Sequence, residues 1–261
     1  MSNEGRAGSS LPAVGAHGVT RPTSAFTMIE IAISLAIIGI ALVGIIGVLP
    51  LGLNAQRDNR ESTVINQDAT VFMEAIRNGA RGDDDLTNYV YAIVNTGSNS
   101  VGYLNPLLAG EMNFSETAFP SVSAWNQNLT TGANIVGLLS TPEFANGTSN
   151  HIIACIRSIN GPAVEKPPQD NQILQQDSFS YRIFCVNAPV ASASPNSAYG
   201  KQLGGNLHEL RLTFLWPVLP NGKLPPQPIH ATYRSLIAGQ VAQDAVNTNL
   251  YFYQPQSFTA Q

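Results

Sequence analysis

The apolar positions of this chain follow three different patterns. From Phe26 to Leu53 almost every residue is apolar or small, and Glu30 is the only charge. At about 1.5 Å per residue, a helix over this stretch would be roughly 42 Å long, more than the ~30 Å hydrocarbon core of a bilayer. A membrane-spanning helix is predicted. The stretch is too long for an ordinary secretory signal, and its far end lacks the small-residue cleavage site. Beyond it the period becomes helical and one-sided. Ile65, Ala69, Phe72 and Ile76 recur at +4, +3 and +4, Val64 and Met73 widen the stripe, and Gly79 stands where a C-terminal cap belongs. One long helix is therefore predicted, with a membrane half over 26–53 and an amphipathic half over 54–79. The amphipathic half needs a partner for its stripe. Arg57, Asp58, Arg60 and Glu61 fall on or near its other faces and read as solvated charges.

The remaining residues, 80–261, form the third regime, strand-like runs between polar loops. His151–Ile159 (HIIACIRSI) is continuously apolar, the pattern of a buried strand, and Ser178–Asn187 (SFSYRIFCVN) is rich in aromatic and β-branched residues. In Leu207–Val218, Leu210, Leu212, Phe214 and Trp216 alternate with Glu209, Arg211, Thr213 and Leu215. After a proline-rich loop, Ala231–Ala238 (ATYRSLIA) reads as the returning antiparallel strand. Three or four antiparallel strands packed on one helix are expected, an α+β head. The stretches 95–150, 160–177 and 187–206 read as long loops, decorations on that head.

Composition narrows the function. The chain has 261 residues, 13 Lys+Arg against 17 Asp+Glu, a formal charge of −4, and only 11% charged residues. Soluble domains average about 25%, so this surface is built from Asn, Gln, Ser and Thr. No basic surplus exists to neutralise phosphates, which argues against nucleic acid as a partner. Residues 1–25, rich in Gly, Ser, Ala and Pro without helical or strand period, read as a tail. Arg6 and Arg21 before the apolar stretch nearly balance Arg57 and Arg60 after it, so flanking charge fixes no orientation.

No motif for chemistry is found. The chain lacks a GxSxG elbow, an HExxH pair, a CxxC pair, a phosphate loop and a dinucleotide fingerprint, and the expectation is a non-enzyme without cofactor. His17, His151, His208 and His230 are scattered without ligand spacing, so no metal site is expected. Asp83, Asp84 and Asp85 lack the alternation of a calcium loop and read as a solvated acidic turn. Asn113, Asn128 and Asn146 open Asn-x-Ser/Thr matches, treated as chance in loops rich in these residues. Cys155 and Cys185 lie in two predicted core strands. A disulfide between them is a candidate in an oxidising compartment, and two free buried thiols are the alternative. The bridge needs Cα atoms about 4.4–6.8 Å apart.

Glu30 is the residue that needs explaining, because an acid near the start of a charge-free apolar run is costly in lipid. Thr27-Met28-Ile29-Glu30 has the spacing of a capping box, in which hydroxyl and carboxylate satisfy free N–H groups at a helix start. The wider run, Ala25-Phe26-Thr27-Met28-Ile29-Glu30 followed by Ala36-Ile37-Ile38-Gly39-Ile40, resembles the amino terminus of type IV prepilins and the related type II secretion pseudopilins. The resemblance covers roughly 24–54. It implies a leader, 1–25, removed by a prepilin peptidase on the cytoplasmic face, with Ala25 before the cut and Phe26 the new, N-methylated terminus. It implies that Glu30 pairs with the terminal amine of an adjacent subunit, each charge being expensive to bury alone. It also implies a pilin-like fold whose head lies outside a bacterial inner membrane. The implied partners are the peptidase, other pilin or pseudopilin subunits, an inner-membrane assembly platform and membrane lipid.

Three residues depart from the family pattern. Ala25 stands where Gly is usual, Met28 where Leu is usual, and Pro50 comes almost one turn later than the family's proline. Pro50 supplies no N–H and crowds the Ile46 carbonyl, so with Gly44, Gly47 and Gly52 it marks a bendable stretch. Ala32, Ala36, Gly39 and Gly47 fall near one face, where small side chains let helix backbones approach closely. The function expected is a pilin-like filament subunit, with size and decorated head leaning towards a minor one. The alternatives are a type II secretion pseudopilin, or an extracytoplasmic binding module held by an uncleaved helix.

Overall fold

A computed structural model describes residues 26–79, 83–98, 100–108, 114, 116–145, 147–159, 179–219 and 221–258. Ala25 and the rest of the expected leader lie outside these residues, as do Asn113, Asn146 and all of the 160–177 stretch. Two compact units divide after Ala55, so the amphipathic half of the helix belongs with the head.

Helix α1 runs Met28–Asn78 as one element, with Pro50 inside it. It is long and apolar enough to cross a membrane. All its residues up to Ala55 are exposed within the chain. It ends where the sequence indicates: Gly79 adopts φ +66°, a left-handed conformation that favours glycine, and its N–H donates to the Ile76 carbonyl (3.3 Å).

The head is α+β, and its sheet is larger than expected. It contains β1 (Val90–Asn95), β2 (Val101–Leu104), β3 (Ala124–Asn126), β6 (Ile152–Arg157), β7 (Ser180–Pro189), β8 (Leu207–Trp216) and β9 (Ile229–Ala238). Their spatial order is β3-β2-β1-β6-β7-β8-β9. Every pairing is antiparallel except β2–β3, which is parallel, so the sheet is mixed rather than purely antiparallel. Two small hairpins complete the strands among the described residues: β4 (Phe144–Ala145) with β5 (Thr148–Ser149), and β10 (Gln240–Gln243) with β11 (Tyr251–Gln254). The stretch expected to be one long loop, 95–150, contains β2, β3 and helix α2 (Gly132–Leu139). The 187–206 stretch ends in helix α3 (Ala198–Asn206), and β9 begins two residues before the expected Ala231.

The amphipathic stripe finds its partner on this sheet. Ile65, Ala69, Phe72 and Ile76 are buried in one core with Ile93, Ile183, Leu210, Leu212 and Phe214. Fully burying one such side chain contributes about 1.5–3 kcal/mol. Helix α2 joins the same core through Ile135, Val136 and Leu139, and the β10–β11 hairpin through Leu250 and Tyr253. The opposite sheet face carries a second core of Tyr91, Val94, Leu104, Phe119, Ile153 and Cys155, against which Phe114 and Trp125 pack. Coverage on both faces explains why β6 is apolar up to Arg157 and buried throughout. Strand β8 alternates buried and half-buried residues, because the second core does not extend over its outer face.

Candidate functional site

The amino-terminal end of α1 carries the candidate site, built as the spacing of Thr27 and Glu30 indicates. The Glu30 N–H donates to Thr27 Oγ1 (3.3 Å), while Glu30 Oε2 accepts from the Thr27 N–H (3.4 Å) and hydroxyl (3.3 Å). The capping box is thus formed, and Ser34 adds a hydroxyl bond to the Glu30 carbonyl (2.7 Å). Phe26 precedes the box with its side chain out, 78% exposed. The capping geometry occupies Glu30 through local atoms on an exposed surface and leaves its carboxylate accessible to a charged group.

Among the described residues of its unit, nothing covers the apolar half that follows. A Cβ added at Gly39, Gly44, Gly47 or Gly52 would meet nothing within 4 Å. No close approach among the described residues requires these glycines. The head shows the contrast: a Cβ at Gly132 would lie 2.1 Å from the Asp83 carbonyl oxygen, and one at Gly102 would lie 2.2 Å from the Trp125 ring. Ala32 and Ala36 are likewise exposed on α1.

Within the head unit, three aromatic donors hold the outer half of α1. Trp216 of β8 donates its indole N–H to Glu61 Oε2 (3.1 Å), and Arg57 donates to the other oxygen of the same carboxylate (2.9 Å). Tyr233 of β9 donates its hydroxyl to Asn66 Oδ1. Tyr181 of β7 donates to Asp68 Oδ2 (2.8 Å), which also accepts the Ile159 N–H (3.0 Å). Asp68 is fully buried. Burial first, and then the Asp68 charge, holds the Tyr181 hydroxyl well above the ordinary tyrosine range, so it remains a donor. Glu61, expected among solvated charges, is instead half-buried under Trp216. Asp68 is the polar member of the apolar stripe: Val64, Asp68 and Phe72 share its spacing, and that position is its one sign in the sequence.

The candidate bridge between Cys155 and Cys185 is absent, and both thiols are free and buried. Strands β6 and β7 do pair, but Cys155 stands opposite Arg182, and Cys185 opposite Ile152. The three-residue offset also places the cysteines on opposite faces: Cys155 in the second core, Cys185 in the core with α1. Burial pushes both thiols up to about 12. The Cys185 thiol donates to the Leu139 carbonyl (2.9 Å).

The histidines are not brought together. His151 and His230 are exposed and His208 is buried in the head. Among the described residues no group of three His, Cys, Asp or Glu side chains converges on a point where a metal ion could sit. In the acidic turn Asp84 accepts the Gly132 N–H (3.0 Å), placing an acid at the positive end of α2. Burial and the neighbouring Asp84 raise the Asp83 carboxyl above its usual value.

Compared with protein-family models, curated proteins and solved structures, the chain matches none.

Proposed function

We propose that this chain is a pilin-like structural subunit, a minor one, without catalytic activity. A prepilin peptidase cuts it between Ala25 and Phe26, Phe26 is N-methylated, and the apolar half of α1 enters the core of a filament. The observation that carries this reading is the Phe26-Thr27-Met28-Ile29-Glu30 run, formed as a capping box at the mouth of an exposed helix with no other charge through Leu53. The open space around Gly39, Gly44 and Gly47 supports it, since neighbouring helices can approach there closely. The head remains on the outer side of an inner membrane, and the assembly platform and other subunits are the partners.

In the assembled state the Glu30 carboxylate faces the amine of a neighbour's Phe26. Each charge is costly to bury alone, so the pair favours one axial offset between subunits. The capping bonds use the same carboxylate and hold it at the helix mouth before assembly.

The test is co-expression of the full chain with a prepilin peptidase. Conversion to a shorter form beginning at Phe26 is expected, with Ala25→Gly cut at least as fast and Ala25→Leu left intact. A chain that keeps residues 1–25 under these conditions contradicts the reading and favours a binding module held by an uncleaved helix.

A further inference from the structure

His208 takes part in none of these features, yet it is 7% exposed. It is the second residue of β8, which follows α3 with no loop between Asn206 and Leu207. In the ladder it pairs with Pro189 of β7 and Ile237 of β9. Tyr253 of β11 stands edge-on to it, ring centroids 5.8 Å apart. Among the described residues neither ring nitrogen has a hydrogen bond of good geometry, and the polar group nearest in effect is the Gly205 backbone. Of the elements around it, β11 presents Tyr253 as the titratable group, and β10 and the paired positions of β7 and β9 present none. Lys201 of α3 is exposed. Glu209, next in the chain, lies on the other sheet face with Arg211 and Arg234.

Backbone and side-chain hydrogen bonds close this end of the head, among them Val190 N–H to the Leu207 carbonyl (2.9 Å). Gly239 N–H donates to the Asn206 carbonyl (2.8 Å), Gln240 N–H to that of Ser257 (3.0 Å), and the Tyr253 hydroxyl to Asn187 Oδ1 (2.6 Å). A neutral imidazole suits the site. An imidazolium there carries a buried charge that faces no carboxylate among the described residues, a state that folded chains avoid by neutralising the group or opening.

We propose that His208 is an acid-sensitive latch: proton uptake on its ring releases the β10–β11 hairpin and α3 from the end of the sheet and uncovers the core at Cys185. Cys185 is the reporter because it shares that core with Tyr253 and packs against α2. Burial holds the His208 imidazole below its ordinary value of 6.5, outweighing the Gly205 backbone, which favours the charged ring. The opened segment titrates at the ordinary value and so binds the proton more readily than the closed one. Closure is therefore complete above about pH 6.5 and weakens as pH falls through that value.

The experiment uses the full chain in detergent and 4,4′-dithiodipyridine, which labels thiols in acid as well as at neutrality. Labelling of each cysteine is compared with that of the urea-unfolded chain at the same pH. Protection of Cys185 is expected to fall below pH 6.5, by at most about tenfold per pH unit, the limit for one proton. Cys155, in the core on the other face, is expected to keep its protection. The substitutions His208→Gln, which keeps a polar side chain, and His208→Phe, which keeps the aromatic contact, are each expected to flatten the Cys185 profile. Constant protection of wild-type Cys185, parallel loss at both cysteines, or an unchanged profile in both variants overturns the latch.

Discussion

Replacing Tyr181 by Phe removes one oxygen and little else. The Tyr181 ring lies between Phe179 and Phe214, with centroids 6.0 and 5.3 Å away, and a phenylalanine retains both contacts. What disappears is the 2.8 Å bond to Asp68 Oδ2 in a site where donor and acceptor residues are both fully buried. A hydrogen bond to a charged group contributes about 1.5–3 kcal/mol. In a unit of this size that corresponds to a lower Tm by roughly 3–12 °C. The assay is thermal unfolding of the full chain in detergent, followed by near-ultraviolet circular dichroism, for wild type, Tyr181→Phe, Asp68→Asn and the double variant. The cycle is expected to give a coupling of at least about 1 kcal/mol, since the residues are in direct contact. Additive single-variant effects, or a loss below about 0.5 kcal/mol for Tyr181→Phe, would refute the claim that this bond fixes α1 on the sheet.

Two further outcomes are expected. Under non-reducing denaturation at neutral pH the chain should show two free thiols, because the Cys155–Cys185 offset across β6 and β7 prevents a bridge; a recovered intramolecular disulfide contradicts the strand register. Glu30→Gln should leave membrane insertion, cleavage and the head intact, since Gln also serves in a capping box, yet should lower incorporation into filaments by removing the charge opposite the terminal amine. Equal incorporation at matched expression returns Glu30 to a capping role alone, and Glu30→Ala, tested beside it, shows what loss of the cap itself does.

The elements legible in the sequence are those whose pattern is set by one buried face. The +4, +3, +4 stripe of α1, the Gly79 cap and the period-two alternation of β8 each depend on local geometry, and each stands where its pattern puts it. Helix α2 was hidden because its glycines lower helix propensity. Their reasons are tertiary: Gly132 lies against the Asp83 backbone, and Gly137 against Leu250 and Phe252. Strands β1, β2 and β3 are short, and the parallel β2–β3 pair joins segments with no hairpin between them. In β6 the same double burial that makes the run apolar up to Arg157 erases the alternation that would reveal which way Cys155 points. At the amino terminus the Thr27–Glu30 spacing predicts a bond pattern that the structure contains. The bonds that the Glu61, Asn66 and Asp68 side chains accept from the head come from donors over 90 residues away in the chain and have no local sign.

Processing before Phe26 is the step on which the functional reading depends, and intact-mass analysis of the protein purified from its own cell envelope tests it most directly. A mature chain that begins at Phe26 and carries one added methyl group is the predicted result. A chain from that envelope that retains residues 1–25, or begins at any other position with an unmodified amine, would contradict it.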